Sequence, residues 1–325
     1  MSRTGINLSE KLQNLGITKS ECCQFIPSEK PNECQCGLTK REHAQPLVNS
    51  EQNWTRDTCT RPGGITNAYG GIRFADKNEI SKYIRVYYRT EMDKMISLLF
   101  GKSYWHMKPP KLLISVTGGA QVAVSELVRD ILCKGLVKAA TSTDGWITTG
   151  GTNAGIMKHV GETVRFTRSK VTLIGIASWT ATSRNEDLIS CDEDTPLRFA
   201  KSQYLEPNHT HFILVDDSKY NDFGGEIQFR AKLESEISKI KKIPIILVVV
   251  EGGPNTAATV LESLKKSIPC GYKLNWNDFS KPLNIFFDQY LNIQIKNANK
   301  RTCAKSFQSQ SFVFDFMNFK ELSRI

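Results

Sequence analysis

The chain has 325 residues, of which 40% are hydrophobic and 23% charged, and its formal net charge is +10. These shares are typical of a globular protein with a sizeable core, large enough for one α/β domain with an appendage or for two domains. No apolar run reaches the roughly 18 residues that a membrane-spanning helix needs, and the N-terminus lacks the apolar segment of a secretory signal. The sequence therefore predicts neither secretion nor a membrane span.

Residues 1–20 are polar, and we expect them to be flexible. Residues 21–110 form a segment rich in turns and cysteine, which contains one predicted strand at 83–87. The odd number of cysteines in the whole chain, nine, favours reduced thiols in the cytosol over a disulfide framework. Zinc ligands and a compact turn with buried thiols are both compatible with one early group of residues, namely Cys22, Cys23, Cys34, Cys36 and His43.

From residue 111 onwards, apolar runs of strand length alternate with segments of helical periodicity. Strands are predicted at 112–116, 146–149, 171–177, 211–215 and 245–250, and helices near 127–136, 156–164, 226–242 and 260–264. Such alternation predicts an α/β fold, a Rossmann-like parallel sheet with helices on both faces. The long polar connection at 178–208 is a candidate lid or binding loop.

Glycine pairs follow three of the predicted strands. In parallel sheets, ligands bind beyond the carboxyl ends of the strands, and the N–H groups at helix starts favour anions. A single such loop would be explained as an ordinary strand-to-helix turn, but three at one edge predict a phosphate-binding site. The candidate ligand-binding residues in these loops are Gly118, Gly119, Thr149, Gly150, Gly151, Asn153, Gly252, Gly253, Pro254, Asn255 and Thr256.

Other polar residues near strand ends leave two interpretations open. His209 and His211 lie two apart, on one face of a strand start, where they would either line a site or pack at the strand edge. The adjacent Asp216 and Asp217 would either hold a ribose hydroxyl or cap the following turn.

Several motifs over residues 20–270 resemble the cytosolic N-terminal region of melastatin-type transient receptor potential (TRPM) cation channels. They include LLISVTGGA, GWITTGGTNAGIMKHVGE, HTHFILVDD, GGEIQFRAKLE and IPIILVVVEGGPNT, and they follow one another in the family's order. That region belongs to the SLOG superfamily of Rossmann-like nucleotide binders.

The resemblance implies a cytosolic sensor and assembly module of a homotetrameric, calcium-permeable channel whose partners are other TRPM subunits. In some members the module binds ADP-ribose or a related nucleotide, and no cofactor is required. By position, Thr117, Gly118 and Gly119 lie in the first nucleotide-contacting loop. Phe223 stands where ADP-ribose-binding members carry a tyrosine beside the base. Arg230 matches a ligand-contacting arginine, suited to a pyrophosphate.

The resemblance ends near residue 270. Residues 271–325 form a basic, aromatic tail, which we interpret as an irregular, disordered extension rather than a nucleic-acid surface, so nucleic acid is not an expected partner. Because the channel helices are absent as well, we expect a truncated sensor region. The predicted domains are 1–20, 21–110, 111–270 (the SLOG-like nucleotide-binding domain) and 271–325.

Two alternatives to nucleotide sensing remain. The pocket would be empty in a module that serves only as a scaffold. The chain would be an enzyme if it hydrolysed nucleoside monophosphates as the SLOG phosphoribohydrolases do, with Glu251 or Glu262 as the carboxylate. Those enzymes carry their glutamate in a PGG-x-GT-x-x-E spacing that EGGPNTAATVLE does not reproduce, so we expect no catalysis.

Overall fold

The computed structural model describes residues 8–43, 48–49, 53–75, 77–119, 126–189, 197–200, 204–219, 224–250 and 252–273. The helices are α1 (Leu8–Leu15), α2 (Arg56–Cys59), α3 (Met92–Phe100), α4 (Glu126–Ser142), α5 (Gly155–Phe166), α6 (Ile227–Lys241) and α7 (Pro254–Lys265). The strands are β1 (Thr18–Cys22), β2 (Gln24–Phe25), β3 (Val48–Asn49), β4 (Thr60–Ile65), β5 (Tyr69–Phe74), β6 (Ile80–Tyr87), β7 (Leu113–Gly118), β8 (Trp146–Thr149), β9 (Thr172–Ser178), β10 (Leu197–Ala200), β11 (His211–Asp216), β12 (Ile245–Val250) and β13 (Cys270–Lys273).

One mixed sheet dominates the described part of the chain. Its nine strands run in the order β10-β5-β6-β11-β9-β8-β7-β12-β13. All neighbouring pairs are parallel except the β5–β6 hairpin. The predicted α/β class with a largely parallel sheet is confirmed, and so are the five strands predicted from residue 111 onwards and the strand at 83–87. Two smaller pairings, β1 with β4 and β2 with β3, lie outside this sheet.

Helices cover both faces of the sheet because alternate strand residues are apolar on each side. On one face, Leu113, Trp146 and Ile213 pack in a core that also takes in residues of α1, α3 and α6. On the other, Ile114 and Ile147 pack against α4 and α5. The central strands are thus buried on both sides, as their nearly continuous apolar sequences require.

The sheet reaches beyond the predicted 111–270 unit at both ends. Strands β5 and β6 come from the preceding segment, and β13 extends to Lys273. Strand β10 comes from the connection predicted as a lid or binding loop and pairs with β5 at the edge of the sheet. The predicted tail from residue 274 onwards lies outside the described residues. Among those described, no helix is both long and apolar enough to cross a membrane.

A buried polar network joins α6 to the centre of the sheet. Arg230 donates from Nε to Glu234 Oε1 (2.9 Å), and from Nη2 to Ser115 Oγ (2.7 Å), to the Val116 carbonyl (3.0 Å) and to the Thr148 carbonyl (3.2 Å). Glu234 Oε1 also accepts from Ser115 Oγ (2.9 Å) and Thr148 Oγ1 (2.5 Å). One ion pair therefore fixes α6 against both β7 and β8, the strands that lead to two of the glycine loops.

The N-terminal segment, meaning the described residues between 8 and 65, is hydrogen-bonded to the sheet through Asp216, at the end of β11. Its Oδ2 accepts from the Ser20 amide (2.9 Å) and from Arg85 Nε (2.7 Å), while Oδ1 accepts from the Ser218 amide (3.1 Å). The Arg85 guanidinium also lies over the Trp179 ring, 4.4 Å from its centroid. Asp216 thus joins β1, β6 and β11 and caps the following turn, which favours the second of its two predicted roles.

Replacing Arg230 with alanine should lower the free energy of unfolding by about 3–5 kcal/mol, since Glu234 would be left as an unpaired buried charge. Urea denaturation measures this loss. The matched control is Lys232→Ala, at an exposed position of the same helix, which should stay within about 0.5 kcal/mol of the parent chain. Equal effects of the two changes would contradict the network's role.

His211 should make stability fall on mild acidification. Burial, and secondarily the charge of Lys82, lower the pKa of His211 from 6.5 to about 3. The unfolded chain therefore binds the extra proton first, and stability present above about pH 6.5 is lost as the pH falls towards 3. His211→Asn should flatten the slope of unfolding free energy between about pH 6.5 and 5, above the range in which ordinary carboxylates titrate. The same change at exposed His106 is the control; an unchanged slope in His211→Asn would refute the assignment.

Candidate functional site at the carboxyl edge of the sheet

The three glycine pairs meet at one edge of the sheet. Gly118 ends β7 and Gly119 follows it, Gly150 and Gly151 follow β8, and Gly252 and Gly253 follow β12. These strands are neighbours in the order β8-β7-β12 and run parallel, so their carboxyl ends face the same way. The structure brings the predicted loops side by side.

The chain changes direction across the sheet between β7 and β12. Strands β8, β9 and β11 lie on one side of β7, whereas β12 and β13 lie on the other. In open α/β sheets, ligands bind in the crevice at such a switch point. Here the backbones of β7 and β12 approach each other so closely that a Cβ on Gly118 would lie 2.2 Å from the Val250 carbonyl oxygen. Only glycine fits at this point of the crevice.

The loop after β8 is held from beneath by a buried hydrogen-bonded chain. Thr149 Oγ1 accepts from the Gly151 amide (2.9 Å) and contacts His209 Nε2 (2.7 Å), and His209 Nδ1 contacts Glu206 Oε2 (2.8 Å). Gly151 has φ +69°, and a Cβ there would lie 2.8 Å from the Gly175 Cα. Thr149, predicted as a ligand contact, thus supports the loop from its inner side, and His209 packs beneath the loop.

The same loop is covered in part by residues 204–206. The Asn153 amide donates to the Tyr204 carbonyl (2.6 Å), and the Glu206 amide donates to the Gly151 carbonyl (2.9 Å). Thr152 forms a bridge with Leu205. These hydrogen bonds occupy backbone groups of residues that the sequence predicts as ligand contacts. Gly150 is less crowded, because a Cβ added there would make only an ordinary contact with Met157.

Helix α7 begins at the loop after β12. Gly252 has φ +137°, Gly253 is the N-cap in an extended conformation, and Pro254 is the first helical residue. Proline has no amide hydrogen, so the donors of this first turn are the backbone amides of Asn255 and Thr256. A Cβ on Gly253 would meet no atom within 4 Å. This loop has the local geometry that accommodates an anion.

A cleft of about 410 Å³ opens beside α7 at this edge, within the range of small-ligand pockets. Its lining includes Asp217, Gly224, Gly225, Asn255 and, from the N-terminal segment, Trp54, Thr55 and Arg56. Arg56 reaches across to α6, where Nη1 donates to the Gly225 carbonyl (3.3 Å) and Nη2 to Gln228 Oε1 (2.7 Å). The contribution of residues 54–56 to this cleft was not foreseen from the sequence.

Two acidic residues lie beside the cleft, and one of them has a perturbed acidity. Burial raises the pKa of Glu226, at the N-cap of α6, and its Oε2 accepts from the Gly224 amide (3.0 Å). Asp217 Oδ1 accepts from the Lys219 amide (3.2 Å). Both carboxyl groups therefore accept from backbone amides of the connection between β11 and α6 and help to shape it.

The other site residues predicted from the sequence are either buried, outside the described residues, or distant from the loop. Thr117 is buried at the end of β7, and Arg230 is buried beneath the loops, its described bonds being those to α6, β7 and β8. Contact of either with a ligand stays a prediction. Phe223 and Glu251 lie outside the described residues. Glu262 pairs with Lys265 (2.6 Å) and lies eight residues, or about 12 Å, along α7 from Pro254.

The sheet, its switch point and the order of its loops agree with a family match. A sequence model described as "SLOG in TRPM" matches residues 81–271. The chain belongs to the TRPM SLOG family. The match starts within β6 and so takes in part of the sheet that lies before residue 111.

Curated relatives of this TRPM SLOG chain are cation channels. It is 37% identical over 286 residues to the transient receptor potential cation channel subfamily M member-like 2 of Nematostella vectensis, an alignment that covers 78% of this chain and 18% of that protein. It is 35% identical over 301 residues to subfamily M member 2 of Mus musculus, covering 81% and 20%. For subfamily M member 7 of Homo sapiens, the identity is 33% over 302 residues, covering 78% and 16%. The chain thus spans about a fifth of the length of these relatives.

Gly151→Ala and Gly150→Ala form a matched pair that tests the loop in this TRPM SLOG chain. Alanine at Gly151 should cost about 1–2 kcal/mol for the left-handed conformation and a further ~1–3 kcal/mol for the contact with Gly175. Alanine at Gly150 should change the free energy of unfolding by less than about 0.5 kcal/mol. Chemical denaturation compares the two, and a similar loss in both would show that the backbone at Gly151 relaxes freely.

Proposed function

We propose that this chain is the ligand-sensing and assembly module on the cytosolic side of a TRPM-type, calcium-permeable cation channel. We propose that it binds a nucleotide such as ADP-ribose without turnover and needs no cofactor. Its partners are other subunits of the same kind in a homotetramer. Family membership and the channel relatives support the setting; the nucleotide is inferred from the site.

The observation that carries the proposal is the open first turn of α7, at the edge where the three glycine loops lie on neighbouring parallel strands. The pyrophosphate of ADP-ribose needs several N–H donors close together, and Asn255 and Thr256, in the first turn of α7, are placed to supply them. Gly253 leaves open space above the loop for the phosphate oxygens. The cleft beside α7 extends this position towards Arg56, whose guanidinium suits a charged group of the ligand.

Binding without turnover fits the carboxylates near the loop. General acid–base catalysis requires a carboxyl group within hydrogen-bond reach of the bond that breaks. Glu262 is paired with Lys265, and Glu206 with His209 beneath the loop after β8. Asp217 and Glu226, the acidic residues beside the cleft, accept from the Lys219 and Gly224 amides, and we propose that they shape the loop between β11 and α6 and do not act as acid or base.

Calorimetric titration of the full chain with ADP-ribose tests the proposal. We expect saturable heat with one site per chain, and chromatography of the mixture should recover the ligand intact. Absence of saturable heat at about 1 mM ligand, the equivalent of a binding free energy weaker than ~4 kcal/mol, would reject ADP-ribose and favour the scaffold alternative. Release of a free base would instead support the enzyme.

A pair of glycine variants locates the site. Gly253→Ala places a methyl group where the phosphate is expected and should weaken ADP-ribose about tenfold or more, or by ~1.4 kcal/mol. Gly135→Ala, in the middle of α4, also adds a methyl group in open space and should leave the affinity unchanged. Equal affinities in both variants would move the ligand away from this loop.

A further inference from the structure

Four side chains that could ligate a metal come together outside the main sheet, in the N-terminal segment. They are Cys22, Cys34, Cys36 and His43, all buried, and their ligand atoms all lie within 4.8 Å of one another. We refer to these four residues as the cysteine–histidine cluster. We propose that it binds one zinc ion, which fixes the fold of the N-terminal segment.

The spacing of the ligand atoms is that of a tetrahedral site within small side-chain movements. With Zn–S near 2.3 Å and Zn–N near 2.0–2.1 Å, neighbouring ligand atoms of a tetrahedron lie about 3.5–3.8 Å apart. Cys36 Sγ and His43 Nε2 are already 3.4 Å apart. Three thiolates and one imidazole are soft and borderline donors that select zinc over magnesium or calcium. Binding would release the thiol protons to solvent.

The histidine is oriented for ligation. His43 Nδ1 lies 2.7 Å from the Thr39 carbonyl oxygen, which accepts a hydrogen bond only if Nδ1 carries the proton. The tautomer so fixed leaves the lone pair of Nε2 directed towards Cys36. A backbone carbonyl in this position is the usual outer partner of a zinc-bound histidine.

Two of the sulfurs receive hydrogen bonds of the kind that stabilise metal-bound thiolates. The Ile26 amide donates to Cys34 Sγ (3.3 Å), and Trp54 Nε1 donates to Cys22 Sγ (3.5 Å). A thiol is a weak acceptor, whereas a thiolate in a zinc site benefits from such donors. As thiols, the same two side chains donate to the Gln24 carbonyl, from Cys22 Sγ (3.2 Å) and Cys34 Sγ (3.6 Å). Zinc would displace those protons, and the two N–H donors would then stabilise the thiolates.

The turn between Cys34 and Cys36 presents both sulfurs on one side. Gly37 follows with φ +86°, its amide donates to the Cys34 carbonyl (2.8 Å), and the Cys34 amide donates to the Leu38 carbonyl (2.9 Å). A residue with a Cβ would be strained at Gly37. The sequence C-x-C-G thus forms a tight knuckle, although its spacing differs from that of the common C-x-x-C finger.

Cys23 and Cys59 lie close to the cysteine–histidine cluster but are not part of it. Cys23, which the sequence grouped with the candidates, directs its Sγ to the Cys59 carbonyl (3.4 Å), and the Cys59 thiol contacts Gln24 Oε1 (3.5 Å). A disulfide between two cysteines of the cluster would leave only one thiol and the histidine as potential ligands. Apart from its cysteines, the local core contains Ile26 and Trp54, with Phe25 against it, which is little apolar surface to hold the turn without a metal.

Elemental analysis of the full chain, purified under reducing conditions, tests the proposal. We expect about one zinc per chain, lost on treatment with a strong chelator together with a fall in melting temperature. Titration of the stripped chain with Co²⁺ should give the ligand-field bands of tetrahedral cobalt and a thiolate charge-transfer band. Absence of both bound zinc and the cobalt spectrum would overturn the proposal, as would a disulfide within the cluster found by mass spectrometry of the reduced-purified chain.

Cysteine variants assign the ligands. Cys34→Ser and Cys36→Ser should each lose the zinc or shift the cobalt spectrum, since one thiolate is removed. Cys23→Ser and Cys59→Ser should retain about one zinc per chain and the parent spectrum. Full retention of zinc with an unchanged spectrum in Cys36→Ser would refute this ligand set, whether or not the variant is less stable.

Discussion

The ion pair of Arg230 and Glu234 is the constraint on which the carboxyl edge depends. It lies between α6 and the sheet, and its hydrogen bonds end on side-chain or carbonyl groups of β7 and β8. A buried charge is tolerated only when it is paired and hydrogen-bonded, so the hydrogen bonds of this guanidinium and this carboxylate fix the positions of β7 and β8 relative to α6. The loops that follow β7 and β8 are positioned in turn by the ends of these strands.

Close backbone approach is the second feature of this edge. Gly118 lies against the Val250 carbonyl and Gly151 against Gly175, so two of the three loops are positioned by main-chain packing. The loop before α7 differs, because Gly253 has open space around it. The edge therefore combines two loops held against the sheet with one loop that has open space around it, and for this reason the proposed nucleotide site is centred on the first turn of α7.

Much of this architecture could be predicted from the sequence, because apolar runs bounded by glycine give strands such as Trp146–Thr149 their sharp limits. The burial of Arg230 could not, since a charged residue in a helix is ordinarily solvated and its partners Ser115 and Thr148 are distant in sequence. Pairing of His209 with Thr149 depends in the same way on the order of the strands. The cysteines were visible as a group, but only the fold distinguishes Cys22 from Cys23.

Residues Trp54 and Arg56 are separated by one position, yet they contact two different parts of the protein. Trp54 donates to Cys22 Sγ, whereas Arg56 donates to the Gly225 carbonyl beside the cleft. Thr55 between them is the N-cap of α2 and accepts from the Thr58 amide, which limits independent rotation. Coupling between two sites is reciprocal in free energy. The backbone from Trp54 to Arg56 is therefore a short covalent path between the cysteine–histidine cluster and the cleft, and whatever coupling it carries acts equally in both directions.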